Sequence, residues 1–216
     1  MYNIRVFIWE LGLNKYLAAL LLLVLVPAPS LARDDIPLQL AQALQSNSIN
    51  RQLNNAEILV ATFTPETTIK GVSMWAAIKI PAPLEDVFAA INLCEQALKW
   101  HKKLKACRRT EQGPDFTDFE QRLKFSWYLP EWKYKFRASY PHPDEIRFQA
   151  ISGDIKTLQG GWQLYPRGEA TLAVYFITIQ PRSRVPKWLM KKAMRADIPE
   201  MLRTINKIAT KKVAID

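Results

Sequence analysis

The chain has 216 residues, which is enough for one domain of ordinary size or two very small ones. Apolar residues make up 49% and charged residues 23%, a globular composition that excludes disorder as the dominant state. Lys and Arg number 30 against 20 Asp and Glu, giving a formal charge of +10 that favours nucleic acid, an acidic membrane surface or an anionic ligand as partner.

The first 32 residues have the pattern of a secretory signal peptide. Arg5 and Lys15 give a basic start, residues 17–26 are an unbroken apolar run, and residues 30–32 supply the small side chains that a signal peptidase recognises. We therefore predict a signal peptide over residues 1–32 and an exported protein, periplasmic or secreted. The alternative is an uncleaved leader that anchors the chain in a membrane, although a span needs roughly 20 apolar residues.

Cleavage after Ala32 would remove two basic residues and one acidic residue, so the charge would fall only from +10 to +9. The basic excess therefore belongs to the remaining chain. Because an exported domain meets no chromosome or ribosome, we expect no nucleic-acid partner.

The chain has two cysteines, Cys94 and Cys107. In an exported protein this pair predicts a disulfide, and the alternative is two unrelated thiols. There is no Cys-x-x-Cys, and His101 and His142 lie far apart without ligand spacing, so the sequence predicts no metal site.

Residues 33–55 are predicted to form a helix over residues 37–45 followed by a polar connector over residues 46–50, ahead of one domain over residues 56–216. The apolar period then changes to two, which predicts strands over residues 57–64 and 71–80. A Pro-Ala-Pro turn follows. Helical spacing from Leu84 then predicts one short helix, and a second short helix covers residues 95–100.

The middle of the chain alternates apolar and polar residues between turns, which predicts an antiparallel meander. Two consecutive strands place one set, apolar except for Gln121, on a common face: Phe119, Gln121, Leu123, Phe125, Trp127, Trp132, Tyr134, Phe136, Ala138 and Tyr140. Further strands are predicted over residues 145–151, 158–165 and 170–180, with turns at Gly153-Asp154 and Arg167-Gly168.

The carboxyl end is predicted to be one long helix, because its apolar residues recur at three- and four-residue steps. The stripe consists of Met190, Met194, Ile198, Met201, Ile205 and Ile208. Pro199 predicts a kink in this helix, or a break with a new start. A helix after a meander buries its stripe across the apolar face of the sheet, and a curved sheet commonly leaves a hollow beneath it.

Residues 78–88 (Ile-Lys-Ile-Pro-Ala-Pro-Leu-Glu-Asp-Val-Phe) resemble the opening segment of START-like, or SRPBCC, domains. Trp100, residues 162–166 and Val185-Pro186 resemble later motifs of the polyketide cyclase/dehydrase and coenzyme-Q-binding branches, so the likeness spans residues 71–209. The resemblance implies an α+β helix-grip fold. In this fold a curved antiparallel sheet wraps around a long C-terminal helix, with two short helices after the first strands.

The same resemblance implies a hydrophobic cavity that binds, and in some members transports, lipids, quinones or polyketide-like molecules. We expect this cavity between the sheet and the C-terminal helix, lined by Phe125, Trp127, Trp132, Tyr134, Phe136, Trp162, Tyr175, Met194, Ile198 and Met201. If the helix packs tightly, the same residues are ordinary core.

Two other functions stay open: a cyclase/dehydrase-type enzyme acting on a polyketide-like substrate, and a protein-interaction module with a filled core. The seven glycines form no nucleotide-binding loop and no Gly-x-Ser-x-Gly, and no His-Glu-x-x-His occurs. The sequence therefore indicates no catalytic residue and no cofactor, and we expect a monomer.

A basic cluster beside a tryptophan is the composition of a membrane interface. Here it predicts contact with anionic headgroups through the start of the last helix, at Lys187, Trp188, Lys191, Lys192 and Arg195. The alternative is solvated charge that keeps the protein soluble.

Overall fold

In the part of the chain that the structure describes, eight strands form one antiparallel sheet, which supplies one side of the site discussed below. The computed structural model describes residues 42–55, 57–65, 70–100, 102–124, 127 and 129–213, which belong to a compact unit, Ile36–Asp216. The predicted signal peptide and its cleavage site lie outside the described residues.

In chain order the elements are α1 (Asn47–Asn54), β1 (Leu59–Thr62), β2 (Val72–Ile80), α2 (Leu84–Asn92), α3 (Cys94–Trp100), β3 (Leu104–Gln112), β4 (Phe116–Leu123), β5 (Trp132–His142), β6 (Glu145–Gly153), β7 (Ile155–Arg167), β8 (Ala170–Pro181) and α4 (Lys187–Val213). The strand order across the sheet is β1-β2-β8-β7-β6-β5-β4-β3, and each neighbouring pair is antiparallel. This curved sheet with its long C-terminal helix is the α+β helix-grip arrangement that the resemblance implied.

The sheet has an inner face toward α4 and an outer face partly covered by the amino-terminal segment. In β2, Met74, Ala76 and Ile78 belong to the inner core, while Trp75 and Ala77 belong to a separate outer cluster. The strand is therefore buried on both sides along almost its whole length.

The predicted polar connector over residues 46–50 is wrong, because α1 begins at Asn47. Ile49 and Leu53, four positions apart, pack with the outer cluster, and Leu53 is buried. This single apolar pair stabilises a helix that is otherwise polar, so its periodicity is weak in the sequence.

Helix α4 runs from Lys187 to Val213 and continues through Pro199, so the predicted alternative of a break is wrong. Its apolar stripe lies against the inner core as expected, and Leu202, outside that stripe, is fully buried as well. Packing along this face offsets the one backbone hydrogen bond that a proline removes from a helix interior. No helix among the described residues is both long and apolar enough to span a membrane.

Gly153 and Gly168 both have positive φ but different surroundings. Comparing them separates the effect of a backbone clash from the effect of the left-handed conformation. Gly153, with φ of 101°, lies so close to β5 that an added Cβ would meet the carbonyl oxygen of Lys133 at 2.3 Å. Gly168, with φ of 64°, has open space around the same position.

We expect Gly153→Ala to lower the free energy of unfolding by about 3 kcal/mol, because it adds a backbone clash to the strain of the left-handed region. Gly168→Ala should lower it by only about 1 kcal/mol, since strain alone applies there. Urea unfolding of both variants measures the difference. Equal losses would show that the turn at Gly153 moves to relieve the clash.

Candidate ligand cavity

A cavity of about 190 Å³ lies between the inner face of the sheet and helices α2, α3 and α4. It exceeds the ~150 Å³ that stays dry and binds benzene in an apolar protein interior. Its wall is predominantly aliphatic and aromatic, with side chains from β3 to β8 and from the three helices. The core is therefore not filled by its own side chains.

Aromatic rings form a connected wall on the sheet side of the cavity. The ring centroids of Trp162 and Tyr175 are 4.7 Å apart, and those of Phe148 and Tyr175 are 5.8 Å apart. Phe136 continues the wall, with its centroid 6.3 Å from Phe148 and 6.0 Å from Tyr134. Flat and apolar ligands pack well against such a surface.

The structure brings most of the sequence-predicted cavity residues together. Those on the wall are Tyr134, Phe136, Trp162, Tyr175, Met194, Ile198 and Met201. Trp132 is buried in the core but does not reach the wall. Phe125 lies outside the described residues.

Trp127 is not a cavity residue and is 87% exposed. The apolar alternation continues to residue 127 in the sequence, but β4 ends at Leu123, which pairs with Trp132 at the start of β5. Trp127 lies outside both strands, and alternation assigns faces only within a strand. The prediction for Trp127 was therefore wrong because the sequence pattern extended β4 beyond Leu123, where the strand ends.

Two polar members of the wall, Gln121 and Asp197, are not among the predicted cavity residues. Gln121 is in phase with Phe119 and Leu123, and Asp197 lies three positions after Met194 and one before Ile198. Both positions satisfy the periodicity that identified their apolar neighbours, so spacing alone was the available signal. These two side chains add polar groups to the hydrophobic cavity that the resemblance implied.

A short hydrogen-bond chain fixes the orientation of Gln121. The Tyr134 hydroxyl donates to Gln121 Oε1 at 2.7 Å, and Gln121 Nε2 donates to Cys107 Sγ at 3.1 Å. Elsewhere on the wall, Asn92 Oδ1 accepts from the Tyr140 hydroxyl at 3.0 Å. These wall amides are therefore already hydrogen-bonded within the protein.

Asp197 lies on the wall and is bound by a lysine from outside it. Lys103 Nζ is 3.2 Å from Asp197 Oδ1 and 3.5 Å from Glu200 Oε2. The Asp197 side chain is 9% exposed and that of Lys103 is 21% exposed. A single ammonium thus serves two carboxylates at this end of the cavity.

Burial raises the pKa of Tyr134 and of Tyr175 above the usual value for tyrosine, and the Asp197 carboxylate adds to the increase in both. Both hydroxyls are therefore protonated at neutral pH. They can donate hydrogen bonds to a ligand, but they are too weakly acidic to serve as general bases near neutrality.

Cys94 and Cys107 form the predicted disulfide, with their Cα atoms 5.5 Å apart. It joins the start of α3 to β3, and both residues contribute to the cavity wall. The cross-link therefore holds one side of the cavity in place. Within the described ranges, no group of three or more His, Cys, Asp or Glu side chains is placed to bind a metal.

The predicted membrane-contact residues lie on the first half of α4. Lys187, Lys191, Lys192 and Arg195 are exposed, and Trp188 is 66% exposed. They lie outside the cavity wall, on the side of the helix that is turned away from the core.

Several solved structures share this architecture at low sequence identity. The chain matches a STAR-related lipid transfer protein from Xanthomonas axonopodis with a TM-score of 0.62 and 14% identity, covering 71% of this chain and 93% of that one. It matches the protein TTHA0849 from Thermus thermophilus with a TM-score of 0.57 and 19% identity, covering 64% and 97% of the two chains. It matches the Zhui aromatase/cyclase from Streptomyces sp. R1128 with a TM-score of 0.56 and 9% identity, covering 73% and 96%. At these identities the likeness establishes the START-like fold.

No curated protein matches the sequence. A family model does: the one described as polyketide cyclase/dehydrase and lipid transport matches residues 80–205, more than half of the chain. This range runs from the end of β2 through the cavity-forming strands into α4. The chain therefore belongs to the polyketide cyclase/dehydrase and lipid transport family and has the START-like fold.

Proposed function

We propose that the protein binds a hydrophobic or amphipathic small molecule in this cavity and carries it as an exported transport protein. The supporting observation is an unfilled space of about 190 Å³ with a predominantly apolar, aromatic-rich wall. Transfer of apolar ligand surface from water into such a space is favourable by roughly 25 cal/mol per Å². A lipid, quinone or polyketide-like molecule fits this chemistry.

A cyclase/dehydrase-type reaction on a polyketide-like substrate is the second candidate, and the buried Asp197 on the wall is the observation that favours it. Against it, Tyr134 and Tyr175 have raised pKa values and remain protonated. A single carboxylate bound by Lys103 is a weak basis for acid–base catalysis. Binding without reaction is therefore the function that the wall supports best. The cavity also argues against an interaction module with a filled core.

Titration with prodan, a neutral naphthalene dye, tests ligand binding. We expect saturable one-to-one binding, with blue-shifted emission as the dye leaves water. Denatured protein is the control, because its apolar surface binds dye without saturation. Absence of a saturable component in the folded protein would contradict the proposed function.

The signal peptide predicted over residues 1–32 supports export, and the Cys94–Cys107 disulfide fits an oxidising compartment. We propose that the protein acts in the periplasm or outside the cell. Mass spectrometry of the protein from its native host would then give a mature chain beginning at Arg33. A chain that keeps residues 1–32 in a membrane fraction would support the anchored alternative.

We also propose that one end of the sheet, where several strands start or finish, meets an acidic membrane surface. The strand register places the start of β5, the end of β6, the start of β7 and the end of β8 at this common end. Trp127 follows β4 at this end of the sheet, and α4 begins there soon after β8. Trp127 and Trp188 are therefore exposed at the same end of the sheet, which we call the tryptophan end.

The charged side chains of α4 beside the tryptophan end are basic. Lys187, Lys191, Lys192 and Arg195 follow one another on α4 next to Trp188. Tryptophan rings partition to the membrane interface, and each nearby lysine or arginine adds about 1 kcal/mol of attraction to an anionic leaflet. An anionic bilayer is the partner that satisfies both features.

We expect the protein to float with vesicles containing anionic lipid and to remain behind with zwitterionic vesicles. Lys191→Ala together with Lys192→Ala should weaken binding by about 30-fold, since two charges contribute about 2 kcal/mol. Arg203→Ala with Lys207→Ala is the matched control further along the same helix and should change binding little. Flotation that does not depend on lipid charge, or equal loss in both double variants, would refute this membrane contact.

A further inference from the structure

Two hydrogen-bond donors on the cavity wall, the Tyr175 hydroxyl and the Trp162 indole N–H, have no hydrogen-bond partner among the residues that the structure describes. The two side chains are buried, with Tyr175 7% exposed and Trp162 4% exposed. Neither polar atom is completely enclosed by protein, in contrast to the side-chain amide of Gln163. Because both residues line the cavity, the open space beside these two donors is the cavity itself.

The two donors are held next to each other by the sheet. Trp162 on β7 and Tyr175 on β8 are direct cross-strand partners, and their ring centroids are 4.7 Å apart. Phe148 packs against Tyr175 as well, with a centroid distance of 5.8 Å. Rings fixed by paired strands and by neighbouring rings lose little freedom when a ligand binds, so the donors are preorganised.

The other polar side chains of the wall each have at least one partner within the protein. They form hydrogen bonds or an ion pair with protein groups, and they are Asn92, Gln121, Tyr134, Asp197 and Thr204. Tyr175 and Trp162 have none, and an indole N–H can donate a hydrogen bond but cannot accept one. The wall therefore calls for a ligand atom that accepts hydrogen bonds.

The charge of the wall favours a neutral acceptor. Within the described part of the chain, no lysine, arginine or histidine contributes to the wall. An anionic ligand group would lose its water here without a cation in direct contact, which is costly in an apolar site. A carbonyl oxygen carries no net charge and has two lone pairs that accept hydrogen bonds.

We infer that the cavity binds ligands carrying a neutral carbonyl oxygen, which accepts a hydrogen bond from the Tyr175 hydroxyl, with the adjacent Trp162 N–H as a second donor. This deepens the proposed function and rests on it. Ketones, esters and quinones carry such an oxygen on an apolar body. A pure hydrocarbon would leave the Tyr175 hydroxyl dehydrated and unpaired.

The test compares 2-acetylnaphthalene with 2-isopropenylnaphthalene, in which a CH₂ group replaces the carbonyl oxygen and the planar shape is kept. Both are measured by displacement of prodan from the purified protein. We expect the ketone to bind at least as tightly as the alkene, because the protein donors replace the water that the carbonyl loses. A ketone that binds more weakly than the alkene would mean that its oxygen is buried without a donor. If 2-naphthoate binds more tightly than the ketone, the assignment to a neutral group is wrong.

The ratio of ketone affinity to alkene affinity is the quantity to compare between variants, because it does not depend on how tightly prodan itself binds. Tyr175→Phe keeps the ring, and loss of the hydroxyl should lower this ratio about tenfold. Trp162→Phe should also lower the ratio, with the alkene reporting any change caused by the smaller ring. Tyr165→Phe is the matched control, since it removes a hydroxyl beside the outer cluster and should leave the ratio unchanged.

Infrared difference spectra supply a second measurement. The carbonyl stretch of bound 2-acetylnaphthalene should lie at a lower frequency in the natural protein than in Tyr175→Phe, because a hydrogen bond weakens the C=O bond. The same frequency in both proteins would show that Tyr175 does not donate to the ligand.

The outcomes distinguish this inference from the proposed function. If neither naphthalene displaces prodan, ligand binding in the cavity is itself contradicted. If both displace prodan and the ratio is the same in the natural protein and in Tyr175→Phe, the cavity binds ligands but the assignment of a carbonyl to Tyr175 is wrong. Unchanged binding of the alkene shows in the same titration that the Tyr175→Phe protein is folded.

Discussion

Replacing Ala138 by leucine lowers the affinity for prodan more than about tenfold while the protein stays folded. Ala138 lies on β5, is buried, and contributes to the cavity wall opposite Phe148 in the neighbouring strand. The larger side chain would occupy volume that the ligand uses, and each displaced methylene contact is worth about 0.8 kcal/mol. Because the leucine enters existing space, we expect the free energy of unfolding to change by less than about 1 kcal/mol.

Ala196→Leu is the matched control, because it makes the same substitution at an exposed position of α4. It should leave prodan binding unchanged. Urea unfolding and prodan titration of both variants give the comparison. A loss of roughly 2–3 kcal/mol in Ala138→Leu, typical of overpacking a well-filled core, would mean that the interior has no usable space.

Removal of the disulfide has the second large effect, this time on stability. Replacing Cys94 and Cys107 by alanine should lower the free energy of unfolding by about 3 kcal/mol. The two cysteines are 13 positions apart, and without the cross-link the unfolded chain between them gains conformational entropy worth about this free energy. Alanine is the right replacement, since both sulfurs are buried and a serine hydroxyl would lack a water partner. The midpoint of thermal unfolding should fall by roughly 10 °C.

Chemical reduction supplies the control for the disulfide. A reducing agent should lower the unfolding temperature of the natural protein by a similar amount and leave the double alanine variant unchanged. If reduction has no effect on the natural protein, the cross-link contributes nothing to stability and the entropic estimate is wrong.

The strands with clear alternation could be predicted from the sequence, and those without it could not. In β5, Trp132 and Tyr134 are buried and Lys133 is exposed, as the pattern indicates. Strand β3 has the sequence Leu-Lys-Ala-Cys-Arg-Arg-Thr-Glu-Gln and lies at the sheet edge with most side chains exposed. Charged residues at an edge discourage pairing with other chains, but they erase the apolar period from which a strand is predicted.

The cavity site was predictable only in part. Phe136 lies on β5, whose alternation identifies it. Trp162 and Tyr175 lie in segments of β7 and β8 that are buried on both faces, so the family resemblance indicated them and alternation did not. The prediction that Trp127 lines the cavity was wrong because the end of a strand depends on where its partner strand begins. That information comes from the fold and not from the local sequence. Asp197 was missed because burial of a carboxylate depends on its ion pair with Lys103, 94 positions earlier in the chain.

The most direct test of the central claim is native mass spectrometry of the protein purified gently from its own cell envelope. We predict a bound species of one ligand per chain, lost on organic extraction and identified in the extract as a hydrophobic or amphipathic molecule. The Ala138→Leu protein prepared in the same way should carry little of it. A natural protein that is entirely free of extractable ligand, and that fails to take up any member of a panel of lipids, quinones and phenols, would contradict the claim that this cavity is a ligand-binding site.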